Sequence, residues 1–156
     1  MKLGTLCYIE KDSKYLLLHR TKKKNDMHQG KYVGLGGKFE PGESPEECVT
    51  REVYEESGLR VKSPRLRSIM TFPGFANDED WYVFLFTVTD FAGEIQPCPE
   101  GGLVWVEKSV IQALPMHDGD YIFIKWLDEY TNVFSAKFNY KDGKLQDYSL
   151  NTNNQQ

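Results

Sequence analysis

Three carboxylates, Glu52, Glu55 and Glu56, stand at spacings that a helix would turn into a single face. Residues at i, i+3 and i+4 are neighbours on a helical surface, and each like-charge pair there costs on the order of 0.2–0.5 kcal/mol. Arg51 can relieve part of the repulsion through its i, i+4 partner Glu55. A divalent cation would relieve the rest, because hard carboxylate oxygens suit Mg²⁺ or Mn²⁺. An ion held there would lower the pKa of a bound water. A bare Glu-x-x-Glu-Glu is more often a solvated acidic face, so the surrounding residues have to decide between the two readings.

The helix that must carry these groups is predicted over 44–57. Ser44 is its N-cap, Pro45 takes the first helical position, and Glu47 completes a capping box three residues after Ser44. Gly58 stops it. Val49 and Val53 form an i, i+4 apolar pair beside the acidic stripe and would anchor the helix to a sheet. Upstream, 3–9 and 15–18 read as strands around the turn-like Lys11-Asp12-Ser13-Lys14. A polar loop over 20–31 follows. The stretch 32–39 then reads as a strand whose three glycines, Gly34, Gly36 and Gly37, imply close backbone approach. Downstream, 60–72, 81–91 and 103–106 read as strands, the second with the composition of a buried central one. A helix is predicted over 119–130, with Asp118 as its N-cap. A hairpin closes the chain, with 136–140 and 145–150 flanking Lys141-Asp142-Gly143-Lys144. Helices covering a mixed sheet give an α/β or α+β class, with one domain over 1–150 and a polar tail over 151–156.

The whole chain restricts the partners. Its 156 residues suit one core, and 40% apolar with 27% charged residues is ordinary for a soluble protein. A net charge of −4 argues against a nucleic-acid polymer as ligand but not against a small anion, since a bound metal reverses the local sign. Cys7, Cys48 and Cys98 are far apart and read as free thiols. Neither a signal peptide nor a membrane span is evident, so a cytoplasmic protein without membrane partners is expected, as monomer or homodimer.

The acidic stripe belongs to a longer pattern: Gly37, five residues, Glu43, seven residues, then Arg51-Glu52-Val53-Tyr54-Glu55-Glu56-Ser57-Gly58-Leu59. This resembles the complete box of the Nudix hydrolases, with every fixed position filled. The resemblance implies an α/β/α sandwich with a mixed sheet, and cleavage of a phosphoanhydride in a nucleotide with Mg²⁺ or Mn²⁺ as cofactor. It makes Glu52, Glu55 and Glu56 metal ligands, adds the Gly36 carbonyl, and makes Arg51 an organiser paired with Glu43 or with a ligand carboxylate.

Within the family the chain is similar to the MutT-type enzymes that remove oxidised purine nucleoside triphosphates such as 8-oxo-dGTP, a nucleotide-pool sanitising role linked to DNA repair. The run from Gly30 to Lys38 has that subgroup's spacing into the box, and Glu100 lies where the subgroup often supplies a further carboxylate. The closing Phe-Asn-Tyr…Leu-Gln-Asp-Tyr-Ser-Leu is also similar. The products expected are a nucleoside monophosphate and pyrophosphate. Glu52, Glu55 and Glu100 are the candidate general bases. Arg20, Lys22, Lys23 and Lys38 are the cations available to the phosphates. Thr5, Leu35, Phe72, His117, Asp118 and Asp120 are the candidates for the rest of the substrate pocket. One position departs from the pattern: Val33 stands where the mammalian member has an asparagine that reads the base edge, and valine has no hydrogen-bonding side chain. Asp118, Asp120 or backbone amides would have to serve instead. ADP-ribose or a dinucleoside polyphosphate is the alternative substrate, with Pro73-Gly74 roughly where ADP-ribose enzymes carry a proline. A non-catalytic nucleotide-binding module is disfavoured, because Glu43, Glu52, Glu55 and Glu56 are all present.

Overall fold

Side chains alternate across a strand, so a sheet covered on both faces needs apolar residues pointing both ways. The strand β1 (Lys2–Lys11) satisfies this by sending Cys7 and Ile9 into one core cluster and Tyr8 into another. In β2 (Lys14–Arg20), Leu16 and Leu18 face the first cluster, and Tyr15 and Leu17 the second. The two strands are joined at Asp12-Ser13, both with positive φ, a pairing of signs that suits a tight hairpin. The computed structural model describes residues 1–22 and 25–152.

The remaining elements are β3 (Tyr32–Val33), α1 (Pro45–Ser57), β4 (Arg60–Lys62), β5 (Arg65–Ala76), β6 (Glu79–Val88), β7 (Asp90–Ala92), β8 (Gly101–Glu107), α2 (Asp118–Glu129), β9 (Phe134–Lys141) and β10 (Lys144–Thr152). A mixed sheet runs β10-β9-β5-β6-β1-β2-β3, with β8 on the other side of β2. The β1–β6 and β5–β9 pairs are parallel. Helix α1 packs on β1 and contributes Val49 and Val53, both fully buried, to the first cluster. Helix α2 contributes Phe123, Ile124, Trp126 and Leu127 to the second. The expected mixed α+β class and three-layer arrangement are therefore present. Among the described residues, no helix is long and apolar enough to cross a membrane.

Several expected boundaries are corrected. The strand predicted over 60–72 is two strands in two sheets: Ser63 has φ +49 and Pro64 has no N–H to give, so the ladder breaks between β4 and β5. The strand predicted over 81–91 likewise divides into β6, central in the large sheet, and β7, which pairs with β4. Pro73-Gly74 does not end a strand: it sits in an irregular stretch of β5, and the hairpin turns at Asn77-Asp78, where both φ values are positive. Lys108–Ala113 forms a 3₁₀ turn that carried no clear sequence signal. Of the predicted tail, Asn151 and Thr152 belong to β10, and the last four residues lie outside the described ones.

The stretch 32–39 is a strand only at Tyr32–Val33, and its other residues do something more specific. β1 and β2 pair at Ile9↔Leu16 and then splay apart, and the glycine run fills the gap. It bonds to β1 through Cys7 N–H to the Leu35 carbonyl at 2.6 Å and Thr5 N–H to the Gly37 carbonyl at 2.9 Å. Gly36 has φ +145°, and a methyl there would overlap the Thr5 carbonyl. Close approach, the reason inferred for the glycines, is thus the geometry found.

Candidate active site

Helix α1 begins and ends as its residues dictate. Ser44 Oγ accepts from Glu47 N–H at 3.1 Å, Glu47 returns a bond to Ser44 N–H at 2.9 Å, and Gly58 closes the helix at φ +80°. A cap of this kind contributes about 1 kcal/mol. With both ends set and Val49 and Val53 buried, the acidic stripe has a fixed azimuth.

Arg51 organises the stripe. Its Nε and Nη2 clasp Glu43 at 2.6 and 2.9 Å, Nη1 reaches Glu52 at 2.7 Å and Glu55 at 2.9 Å, and Nη2 also donates to the Lys38 carbonyl at 3.0 Å. The paired hydrogen bonds from Arg51 hold the Glu43 carboxyl down to about 2, and the same bonds raise the guanidinium pKa. Glu56 lies in the opposite situation. It is 8% exposed, and burial pushes it up to about 8, with Glu100 and Glu52 adding to the shift. Gly36 N–H donates to its Oε1 at 2.7 Å and opposes the rise. Gly37 lies against the Glu52 carboxylate, where an added Cβ would come within 2.5 Å.

Glu52 and Glu56 open onto a cleft of about 650 Å³, within the range of ligand-binding sites. Of the residues singled out from sequence, Thr5, Arg20, Gly36, Lys38, Phe72, Glu100, His117 and Asp120 also line it. Others do not. Glu43 and Arg51 are not part of the lining. Glu55 is half exposed and held by Arg51. Leu35 is fully buried core. Lys22 donates to the Cys98 carbonyl at 3.4 Å rather than lining the cleft. Lys23 lies outside the described residues. Asp118 is no N-cap: α2 starts at Asp118 itself after His117, and Asp118 Oδ2 accepts from Leu145 N–H at 3.0 Å, so β10 has claimed it.

Other lining residues were not anticipated. Asp26 is one of them: it shares Arg20 with Glu100, each at 2.9 Å. His28, from the loop after β2, meets His117 with 2.6 Å between ring nitrogens. Burial lowers His117 to about 3, helped by His28 and Lys31, so its ring stays neutral. Phe75, Trp81 and Tyr140 complete an aromatic side with Phe72. The period-2 alternation of β6 could have found Trp81, since Trp81, Val83 and Leu85 share a face, but only a known hairpin would have placed Phe75 beside it. Tyr32 stacks on His19, 4.1 Å between centroids, away from the cleft lining.

The oxygen-only donor set of Glu52, Glu56 and Glu100, with one carboxyl strained by burial and like charge, fits a hard divalent cation. Among the described residues no three such side chains already form a cage, because Arg51 holds Glu52 and Arg20 holds Glu100. An ion held by these carboxylates would have to displace their arginine partners.

The comparisons with known proteins agree with this geometry. The chain is 31% identical to the uncharacterised Nudix hydrolase YvcI of Bacillus subtilis, covering 87% of this chain and 85% of that one. It is 30% identical to an oxidized purine nucleoside triphosphate hydrolase of Danio rerio over 78% of this chain and 76% of the other. The crystal structure of a MutT protein from Bacillus halodurans superposes with a TM-score of 0.85 at 33% identity, covering 96% of this chain and 97% of that one. With the NUDIX domain profile matching residues 2–127, the chain belongs to the NUDIX family and is a hydrolase acting on phosphoanhydrides.

Proposed function

We propose that the protein hydrolyses a nucleoside triphosphate, with an oxidised purine such as 8-oxo-dGTP preferred, to a nucleoside monophosphate and pyrophosphate. The observation that carries this reading is a single cleft with carboxylates from α1 on its wall and aromatic side chains from β5 and β6 on another part of its lining. A phosphate chain and a flat base need those two surfaces together. Glu52 and Glu56, with Glu100 and the Gly36 carbonyl, would hold Mg²⁺ or Mn²⁺. Glu55 would join them only by leaving Arg51. Such a cation supplies neutralisation of phosphate charge and acidification of water.

The chain's own residues would do the rest. Water adds to phosphorus while the anhydride P–O bond breaks, and the proton leaves to a carboxylate. Glu52 and Glu100 line the cleft and can take it, whereas Glu55 is not part of its lining. Arg20 and Lys38, both in the cleft lining, would meet the outer phosphates. Phe72 and Phe75 offer aromatic faces for the base. Asp120 remains in the cleft as a polar contact, while Asp118 is occupied by Leu145.

Product analysis with Mg²⁺ tests this. The panel is 8-oxo-dGTP, dGTP, dATP, ADP-ribose and a dinucleoside tetraphosphate. Pyrophosphate released from a triphosphate, fastest with the oxidised base, is expected. AMP released from ADP-ribose faster than any triphosphate is cleaved would overturn the substrate assignment.

A further inference from the structure

The aromatic side of the cleft contains polar atoms that the fold leaves unused. Trp81 lines the cleft from β6, and its indole Nε1 is buried with no hydrogen-bond partner. A buried donor left unpaired costs about 1–3 kcal/mol, so such a group in a binding cleft calls for a ligand atom. Asp120, from the first turn of α2, lines the same cleft at 8% exposure. Among the described residues its carboxyl accepts no hydrogen bond and joins no ion pair.

Neither group is idle because it is misplaced. Trp81 is held in register opposite Phe72 on β5 and Lys2 on β1, and its ring lies against Gly4, where a Cβ would be 3.5 Å from the indole. Lys38 Nζ sits 5.7 Å from the ring centroid, so the indole adjoins a candidate phosphate-binding cation as well as the aromatic cluster. Asp120 is fixed by the helix, its N–H bonded to the His117 carbonyl at 3.0 Å. Burial, with Asp118 adding, pushes its carboxyl up to about 8 against the pull of Lys31. At neutral pH it then keeps its proton and can both donate and accept.

We infer that Trp81 is a specificity-determining residue whose indole N–H donates to a hydrogen-bond acceptor on the substrate's flat ring, with Asp120 making the second polar contact. This rests on the reading of the cleft as a nucleotide site and deepens it. The matching ligand group is a planar heterocycle with a carbonyl or ring nitrogen toward Trp81 and an edge that donates or accepts toward Asp120. A nucleobase has these features. A polyhydroxylated ring lacks the flat face that Phe72 and Phe75 would cover. Val33, which has no polar side-chain atom, needs no role in this scheme.

The test has a readout apart from turnover. Uniformly ¹⁵N-labelled protein is titrated with dGMP, the corresponding monophosphate product, and with ribose 5-phosphate. The Trp81 indole signal is assigned from its loss in Trp81→Phe. The expected result is a shift of the Trp81 indole proton with dGMP that exceeds those of Trp105 and Trp126 and is absent with ribose 5-phosphate. Kinetically, Trp81→Phe should raise KM for base-bearing substrates about two- to tenfold, the worth of one hydrogen bond, with the loss falling on KM more than kcat. A Trp81 signal unmoved by dGMP, or moved equally by ribose 5-phosphate, overturns the inference and leaves the hydrolase reading standing. A wild-type protein that shifts Trp81 with dGMP but cleaves no triphosphate refutes the proposed reaction and keeps the base contact.

Discussion

Gly36 and Gly37 are adjacent, yet alanine at each should fail for a different reason, and the contrast tests how the site is built. At Gly36 the backbone has φ +145°, and the new methyl would meet the Thr5 carbonyl, a main-chain atom locked in the β1 ladder. Overpacking costs about 1–3 kcal/mol, and a non-glycine residue in such a conformation adds about 1–3 kcal/mol, so Gly36→Ala should lose roughly 2–6 kcal/mol. At Gly37 φ is not positive, and the atoms met are those of the Glu52 carboxylate, 2.5 Å from the new Cβ. A flexible side-chain end can move away, and restoring ordinary contact needs a displacement of about 1 Å. The fold should therefore hold to within about 1 kcal/mol, the usual scale of a tolerated glycine replacement. The same 1 Å shift of a reacting group can cost about 10²-fold in rate. Urea unfolding would give the two stabilities, and a coupled pyrophosphate assay with Mg²⁺ would give the two rates. Wild-type turnover in Gly37→Ala would refute the role given to the position of Glu52, and wild-type stability in Gly36→Ala would refute the close-approach argument.

Three further outcomes follow from the same geometry. Glu56→Gln should slow turnover about 10²-fold or more, as expected for loss of charge stabilisation; without metal it should flatten the pH dependence of stability. The native Glu56 carboxyl is raised to about 8, so the folded state holds the extra proton and the wild-type protein should lose stability as pH rises from the ordinary carboxyl value of 4.5 through 8, seen by thermal melting in a chelator. Glu43 has the opposite sign: it is held down to about 2, so its contribution is present above about 4.5 and is lost as pH falls through 2, and the stability gap between wild type and Glu43→Gln should close over that window. Ser44→Ala removes one arm of the capping box and should cost about 1 kcal/mol, or roughly 2–4 °C in Tm for a domain of this size, by calorimetry.

Features with local causes were legible in the sequence. The cap, the stop and the acidic face of α1 depend on residues within a few positions of one another, and all three occur as read. Strand breaks were less legible. An apolar run such as 60–72 looks continuous until a backbone conformation at Ser63 interrupts it, and that conformation follows from the pairing of β4 with β7, far along the chain. The cleft was legible by halves. The charged wall lies mostly on one helix and its flanking glycines, whereas the aromatic side is assembled from β5, β6, α2 and β9, whose proximity only the sheet order creates. Asp118 shows the limit most clearly. A residue suited to capping was read as a cap or a base contact, and a backbone amide of β10 took it instead.

The splay between β1 and β2 connects these halves. Had the two strands stayed paired beyond Leu16, the sheet would be continuous and the faces under α1 and α2 would be separate. Because they part, the backbone from Leu35 to Gly37 runs through the opening, bonding to β1 along one side. Gly36 N–H meets Glu56 from α1, and Val33, two residues before the run, lines the same cleft as Phe123 from α2. A side chain at Gly36 would force the run away from β1, and one at Gly37 would push Glu52 aside. The glycines are therefore required by two constraints at once, sheet closure and carboxylate placement. That explains why the box pattern begins at Gly37, well before the helix that carries its acids.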